Sequence, residues 1–448
     1  MMHNNYRWRI LALLFLATTI NYVDRQALSF VMTDEEFKKT LLGLAPSALL
    51  TDKHLRQFRI QMGLVDSAFK ATYAIGFLLT GWLIDKIGTK KGFAAGMALW
   101  SIASVASAFI ATASQLKMVR AALGLGEAAN FPSSMKAISE WFPKAERSTA
   151  TGFLNAGSNM GVIATAVLIP LLMQQYGWRV SFLVSAVLGL AMLVIWWFSY
   201  ERPEQTPSLS PTELHYITKS QELENRGGQA ARLSWRQLIG YRQTWVFTLG
   251  KVFADPVWFF YLTWLPDFLS TNNQLDRKLD LKNFGLTFLI IYVVSDLGSI
   301  FFGWMATRLV KTGWTDNKAR KLTMLICALL VTPMYLIPTI HSYPAVVALL
   351  ALAMAAHQGW STNVYSMAST LFPSGSVGSA TGLGGSLGGL TSMAVAAATG
   401  YVVAAFGYQP MFIFASCSYL IGLIAIHLVL PNLQPVALPP KLVTETHE

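Results

Sequence analysis

The sequence predicts an all-α integral membrane protein with twelve membrane-crossing helices in two pseudo-symmetric six-helix halves. Three observations carry that expectation. Of 448 residues, 53% are hydrophobic and only 13% charged, with a mean hydropathy of +0.44, whereas a soluble domain carries about a quarter charged residues. Long apolar runs recur along the chain. The second half of the sequence repeats motifs of the first. The composition excludes a soluble multidomain enzyme, a disordered chain and a disulfide-stapled secreted scaffold. Cys327 and Cys417 both sit in apolar runs and read as small buried hydrophobes.

A helix crosses a bilayer with roughly 20 apolar residues. In order, such runs lie near 8–32, 64–84, 93–113, 116–139, 148–174 and 178–199, and then near 244–270, 284–309, 322–340, 343–371, 378–405 and 410–430. Asp24 and Arg25 interrupt the first run and no small-residue cleavage site follows, so it is not read as a signal peptide. The segment 201–242 holds Pro203, Pro207, Pro211, Gly227 and Gly228 among mixed charges and reads as a linker with a short surface helix. The expected organisation is therefore 1–200, linker 201–242, 243–432, and a tail 433–448.

Cations orient the spans, because cytoplasmic loops gather Lys and Arg. Placing the N-terminus inside puts Arg7, Arg9, Lys86, Lys90, Lys91, Lys144 and Arg147 on the cytoplasmic side. It adds Arg202, Lys219, Arg226, Arg232, Arg236, Arg242, Arg308, Lys311, Lys318, Arg320, Lys321 and Lys441. The opposite face then holds fewer: Lys38, Lys39, Lys53, Arg56, Arg59, Lys117, Arg179, Arg277, Lys278 and Lys282. Both termini are expected in the cytoplasm. The net charge of +11 is mostly this topology, and no nucleic-acid partner is expected.

The halves share a register. Phe142-Pro143 and Ala150-Thr151-Gly152 return 230 positions on as Phe372-Pro373 and Ala380-Thr381-Gly382. Tyr176-Gly177-Trp178 with Phe182 likewise matches Phe406-Gly407-Tyr408 with Phe412. Duplicated halves are how many secondary transporters are built, with the substrate site near the midplane between the repeats.

Ionisable groups in the hydrocarbon region cost several kcal/mol and demand a partner or a task. Span 1 carries Asn21, Tyr22, Asp24 and Arg25; span 2 carries Asp66, Lys70 and Tyr73; span 4 carries Arg120, Glu127, Asn130 and Lys136. Arg120 and Glu127 are two helical turns apart and share a face. Arginine stays charged and presents a planar fork suited to a carboxylate, while a buried glutamate responds to desolvation and to neighbouring cations. That combination is the physical basis of a proton-coupled carrier. Asp24 is either the partner of Arg25 or a second proton site. Asp66 with Lys70, Asp85 with Lys86, and Lys251 with Asp255 read as helix-knitting pairs. Asp296 stays unassigned. His357 lies 230 positions after Glu127, and whether it faces a cavity is open. Gly384/Gly388 and Gly157/Gly161 are spaced for close helix packing in lipid, not for nucleotide binding.

The motif Gly81-x-x-x-Asp85-Lys86-x-Gly88-x-Lys90-Lys91 resembles the loop between spans 2 and 3 of the major facilitator superfamily. Its second-half copy, Gly303 to Lys311, has Thr307 in place of the acid. Within the superfamily the chain resembles the anion:cation symporters through Ile20-Asn21-Tyr22-Val23-Asp24-Arg25 and Arg120-x-x-x-Gly124-x-Gly126-Glu127-Ala128. Asn130-Phe131-Pro132 and Glu140-Trp141-Phe142-Pro143 extend that match. The bacterial hexuronate transporters are closer still, on Arg7-Trp8-Arg9, Thr18 to Gln26, Asp255 to Leu262, Trp264-Leu265-Pro266 and His357-Gln358 with Trp360-Ser361 and Asn363.

The resemblance implies the major facilitator fold and proton-driven symport of a sugar carboxylate, glucuronate or galacturonate first, by a monomer in the bacterial inner membrane. It implies that Arg25 and Arg120 hold the anion and that Asp24 and Glu127 take up protons. Tyr22, Tyr73, Asn130, Ser158, Asn159, Trp264, His357, Gln358 and Asn363 are the expected substrate contacts, since a hydroxyl-rich ring needs amide and hydroxyl partners and an aromatic face. No cofactor, metal or catalytic residue is expected; protons are the coupling ion. Two features depart from the pattern: the long charged loop from Thr33 to Met62, and Lys70, where a neutral polar residue is expected. A third cation would favour a dicarboxylate such as an aldarate; another organic anion, an aldonate or an aldarate, is the alternative cargo. A membrane-embedded enzyme or a channel is the remote alternative.

Overall fold

The computed structural model describes residues 6–226, 233–272, 275–276, 284–372 and 374–437, and among these there is no β-strand. Gly227, Gly228, Arg232, Arg277, Lys278, Lys282 and Lys441 lie outside the described residues. The helices are α1 (Tyr6–Val31), α2 (Glu35–Leu42), α3 (Asp52–Ile87), α4 (Thr89–Ser107), α5 (Ala113–Glu127), α6 (Asn130–Trp141), α7 (Lys144–Tyr176) and α8 (Trp178–Ser199). Then come α9 (Pro211–Arg226), α10 (Trp235–Gly240), α11 (Arg242–Thr271), α12 (Phe284–Lys311), α13 (Asp316–Val331), α14 (Tyr343–Leu371), α15 (Ser374–Phe406) and α16 (Gln409–Val429). The twelve expected spans map onto α1, α3, α4, α5 with α6, α7, α8, α11, α12, α13 with the 3-10 turn Thr332–Thr339, α14, α15 and α16. Among the described residues seven helices are long and apolar enough to cross a membrane; spans 1, 2 and 4, with their charges, are among the others.

Three elements differ from the sequence expectation for stated reasons. The fourth span breaks at Ala128 and Ala129 because Pro132 has no N–H to give the Ala128 carbonyl, which accepts from Thr80 Oγ1 at 3.2 Å instead. The ninth span ends in 3-10 geometry over a stretch holding Pro333 and Pro338. The charged loop after span 1 is partly helical. Asp34 caps α2, accepting from the Phe37 N–H at 2.8 Å, and Gly43 ends it at φ +66°. α3 then runs 36 residues, about 54 Å, longer than the hydrocarbon layer needs.

The chain forms two compact units: Met1–Val31 with Ala68–Gln229, and Met32–Ser67 with Ala230–Glu448. α3 therefore contributes its first turns to the second unit and its remainder to the first. In the first unit α1 packs on α7, and α4 on α5 and α8. In the second, α11 packs on α15 and α12 on α14. The α1–α7 and α11–α15 contacts are the same contact in the two repeats, and glycine makes both. A Cβ on Gly157 would lie 2.8 Å from the Phe15 carbonyl oxygen, and one on Gly388 would lie 2.6 Å from Asp255 Oδ2.

Aromatic packing fills the first unit, with Phe93 edge-on to Trp196 at 4.8 Å and Trp196 stacked on Tyr200 at 4.1 Å. Ion pairs close one end of it. Arg7 of α1 bonds Glu146 of α7 at 2.9 Å and Glu213 of α9 at 2.8 Å, so the linker helix α9 belongs to this unit. Gly88, at φ +87°, makes the α3–α4 turn, and Lys90 pairs with Glu201. Lys86 and Lys91 are exposed there. Gly81 and Asp85 lie in α3, but the Asp85 side chain falls outside what is described.

In the second unit the start of α3 is tied down by Arg59, whose Nε lies 3.5 Å from Asp267 Oδ2 on α11. Tyr408 donates to the same carboxylate, and burial together with that carboxylate holds the Tyr408 phenol well above its ordinary pKa.

Candidate functional site

The polar interior of the first unit is built on α1. Asn21, Asp24 and Arg25 are all buried there, in a helix whose other faces are apolar. Arg25 Nε donates to Glu127 Oε2 of α5 at 2.7 Å, and the two side chains are 8% and 0% exposed. The Arg25 guanidinium lies over the rings of Tyr22 at 4.5 Å and Tyr73 at 4.8 Å, and Asn21 Oδ1 accepts from its Nη2 at 3.4 Å. Cation–π contacts of this kind gain strength when desolvated.

Arg120 also reaches across to α1. Its Nη2 donates to the Arg25 carbonyl at 3.3 Å and its guanidinium covers Phe69 at 4.7 Å. The glutamate is thus claimed by the arginine of the neighbouring helix. Two arginines and two carboxylates, Glu127 and Asp24, share the site, so a proton on either acid leaves it with spare positive charge. Asp24 turns to α4, where Ser104 donates to its Oδ1. Asn130, in the first turn of α6, accepts from Thr18 Oγ1 at 3.4 Å. Among the described residues, Glu127 Oε1, Asp24 Oδ2, Asn21 Nδ2 and Asn130 Nδ2 are buried without hydrogen-bond partners. Such atoms are costly unless water or a ligand meets them.

Six of the expected site residues therefore come together in one cluster: Tyr22, Arg25, Tyr73, Arg120, Glu127 and Asp24, which feels the charges of Arg120 and Glu127. Ser158 does not join it; its hydroxyl bonds the Asn155 carbonyl at 2.7 Å. Asn159 is half-buried on α7. Lys136 donates to the Ile84 carbonyl at 3.2 Å and so holds the last turn of α3.

The second unit has its own polar set. His357 stacks on Trp258 at 4.6 Å with an interplanar angle of 7°, and its Nδ1 lies 2.6 Å from the Tyr419 hydroxyl. Asn363 is buried and donates to the Gly359 carbonyl at 2.9 Å. Gln358 is half-buried. Trp264 is buried, and its indole N–H has no partner among the described residues. Lys251 and Asp255 pair at 2.8 Å, with the Tyr365 hydroxyl 3.2 Å from the ammonium. Among the described residues, no group of three or more His, Cys, Asp or Glu could hold a metal.

Sequence reasoning did not single out Ser104 or Thr18. A signal for the first was present: Ser101, Ser104 and Ser107 recur every three residues on an otherwise apolar span.

The family profile described as Major Facilitator Superfamily matches residues 14–388 and 312–447. The chain is 27% identical over 442 residues to the hexuronate transporter of Escherichia coli K12, covering 98% of this chain and 97% of that one. It is 29% identical over 299 residues to the galacturonate transporter of Dickeya chrysanthemi, covering 67% and 81%. It is 25% identical over 448 residues to a probable galactarate/D-glucarate transporter of E. coli K12, covering 96% of each. Among solved structures, a D-xylose-proton symporter superposes with a TM-score of 0.69 at 17% identity, over 97% of this chain and all of that one. The inward open xylose transporter of E. coli gives 0.71 at 15% identity, over 95% and 96%.

Proposed function

The chain belongs to the Major Facilitator Superfamily, a transporter and not an enzyme, and we propose that it moves a hexuronate such as glucuronate or galacturonate together with protons. The observation that carries this reading is the buried Arg25–Glu127 pair beside Arg120. A proton on an acid of this cluster leaves positive charge inside a membrane unit, where a carboxylate is welcome, and the acid bound to Arg25 lets that proton decide how firmly the arginine is held.

In the proposed cycle a proton on Glu127 removes the charge opposing Arg25. The substrate carboxylate then takes the guanidinium forks of Arg25 and Arg120 in place of Glu127. Tyr22 and Tyr73 keep Arg25 flat between their rings, and their hydroxyls with Asn130 meet the sugar hydroxyls. Asp24 takes a second proton. From the other repeat, Trp264 offers a ring face, and His357, Gln358 and Asn363 offer polar contacts; Ser158 and Asn159 are the remaining hydroxyl and amide contacts. After alternating access the carboxylate leaves, Glu127 gives up its proton and re-forms its bond to Arg25. One proton per monoanion is electroneutral; two move one net positive charge per cycle. The positive-inside distribution supports a cell-membrane carrier with both termini in the cytoplasm.

A second cargo deserves a place because relatives named for D-galactonate and galactarate/D-glucarate are about as similar as those named for hexuronates. Thermal-shift screening of sugar acids, followed by competition against labelled glucuronate uptake, separates them. Glucuronate or galacturonate should stabilise the protein most and compete best. A stronger response to galactarate or galactonate would reassign the cargo and leave the carrier reading intact.

A further inference from the structure

Asp24 has a second neighbourhood, apart from the arginines. Its Oδ1 accepts from Ser104 of α4, while Oδ2 has no partner among the described residues although the side chain is buried. Ser104 is one of a row. Ser101, Ser104 and Ser107 stand three residues apart, so they share a stripe of α4, and all are buried.

α4 packs on α8 in an antiparallel register that three contacts fix. Phe93 meets Trp196, the Trp196 indole donates to the Lys90 carbonyl at 3.0 Å, and a Cβ on Gly189 would collide with the Ser101 hydroxyl. Followed along the helices, that register sets Ser104 and Ser107 level with Ser185 and Ser181 of α8, both buried. The Ser107 and Ser185 hydroxyls turn back to carbonyls of their own helices at 3.0 Å. Those of Ser101 and Ser181 have no partner among the described residues.

This row is short and reaches a helix end. Ser107 is the last residue of α4 and Ser181 lies in the first turn of α8, so Ser104 is one turn, about 5 Å, from the end of its helix. Small side chains with unmet hydroxyls, buried in a bundle, are sites that take up water. Each hydroxyl both donates and accepts.

We propose that the α4–α8 serine row is a hydrated proton entry to Asp24, separate from the side chains that bind substrate. This rests on Asp24 being a coupling acid. A proton arriving on water at Ser181 passes along water and serine hydroxyls. Each oxygen receives one proton and releases another, and the last transfer forms O–H on Asp24 Oδ2. Release runs the same steps backward. The charged groups around Asp24 are Arg120 and Glu127 from α5 and Arg25 on its own helix. None of these lies on α4 or α8; on those helices Arg179, two positions before Ser181 and over the Trp178 ring, is the charge at the mouth of the row. Protonation of Asp24 then does not require the arginines to be free, and proton and substrate bind in either order.

The test compares Ser181→Val, which fills the row, with Ser181→Ala, which leaves room for water, and with Asp24→Asn, all as full-length protein in liposomes. Ser107→Val is the second plug if the first fails to fold by thermal melting. Labelled glucuronate is followed in gradient-driven uptake and in counterflow exchange. The row is supported if valine lowers driven uptake by roughly tenfold with exchange retained and alanine changes neither. Valine variants that match the parent, or that lose both activities, overturn it. Should Asp24→Asn accumulate glucuronate like the parent, the coupling role of Asp24 fails and the row falls with it. Should Asp24→Asn lose driven uptake while valine does not, the row alone is wrong.

Discussion

Arg25 and Glu127 meet at 2.7 Å with side chains 8% and 0% exposed, and the Arg25 backbone carbonyl is in turn held by Arg120 at 3.3 Å. Both side chains are largely withdrawn from solvent, so each ion leans on the other. Breaking such a pair by removing one member costs about 3–5 kcal/mol, much more than the pair contributes over an apolar replacement of both. The contact is thus a lock: stable while complete, and released by any group that can substitute for Glu127. A substrate carboxylate is such a group, and a proton on Glu127 makes the exchange cheap.

Glu127→Gln keeps the shape and removes the titrating group. Gradient-driven uptake should vanish while counterflow exchange of substrate persists. Loss of both in the same liposomes would show that Glu127 positions Arg25 or the substrate and does not couple protons.

Arg25→Ala should lower stability by about 3–5 kcal/mol, because Glu127 is left as a buried charge without its partner. Arg25→Met combined with Glu127→Leu should recover most of that loss yet carry no substrate. Thermal melting in detergent reads the first effect and liposome uptake the second. A double variant as unstable as the single one would mean the pair is held by its surroundings and not by mutual dependence.

Arg120→Lys preserves charge but not the planar fork, and its contact with the Phe69 face is lost as well. Uptake efficiency should fall by about a hundredfold, equivalent to roughly 2.7 kcal/mol, with little change in melting temperature. Near-normal uptake would remove Arg120 from the anion site.

Asp267→Ala should loosen the start of α3, since Arg59 and Tyr408 both converge on that carboxylate. Hydrogen exchange should rise in α3 before Gly63, whose neighbour across the contact is Gly400, and leave the turns around Tyr73 unchanged. Equal protection in parent and variant would show that glycine contact, and not the ion pair, fastens this segment.

Much of this was legible in the sequence because lipid leaves so few solutions. Runs of about 20 apolar residues can only be helices, and Gly157 with Gly388 could be read as packing positions from spacing alone. The charges of span 1 and span 4 stood out for the same reason. Partners were harder. Arg120 and Glu127 share a helix face, but periodicity within one helix says nothing about which neighbour arrives across the interface, and Arg25 bonds Glu127 from there. Ser104 was missed because a serine in a span is cheap and common, and only the carboxylate facing it makes it notable. The break at Ala128 was not read from the sequence, where 116–139 stands as one span; Pro132 causes it, and the Ala128 carbonyl taken by Thr80 needs the neighbouring helix.

Proton movement on substrate addition tests the central claim most directly. The protein is reconstituted with a pH-sensitive dye sealed inside the liposomes, and glucuronate is added outside without an imposed gradient. The expected result is acidification of the lumen that tracks entry of labelled glucuronate and is absent with Glu127→Gln. Entry of labelled glucuronate with no change in luminal pH contradicts proton symport.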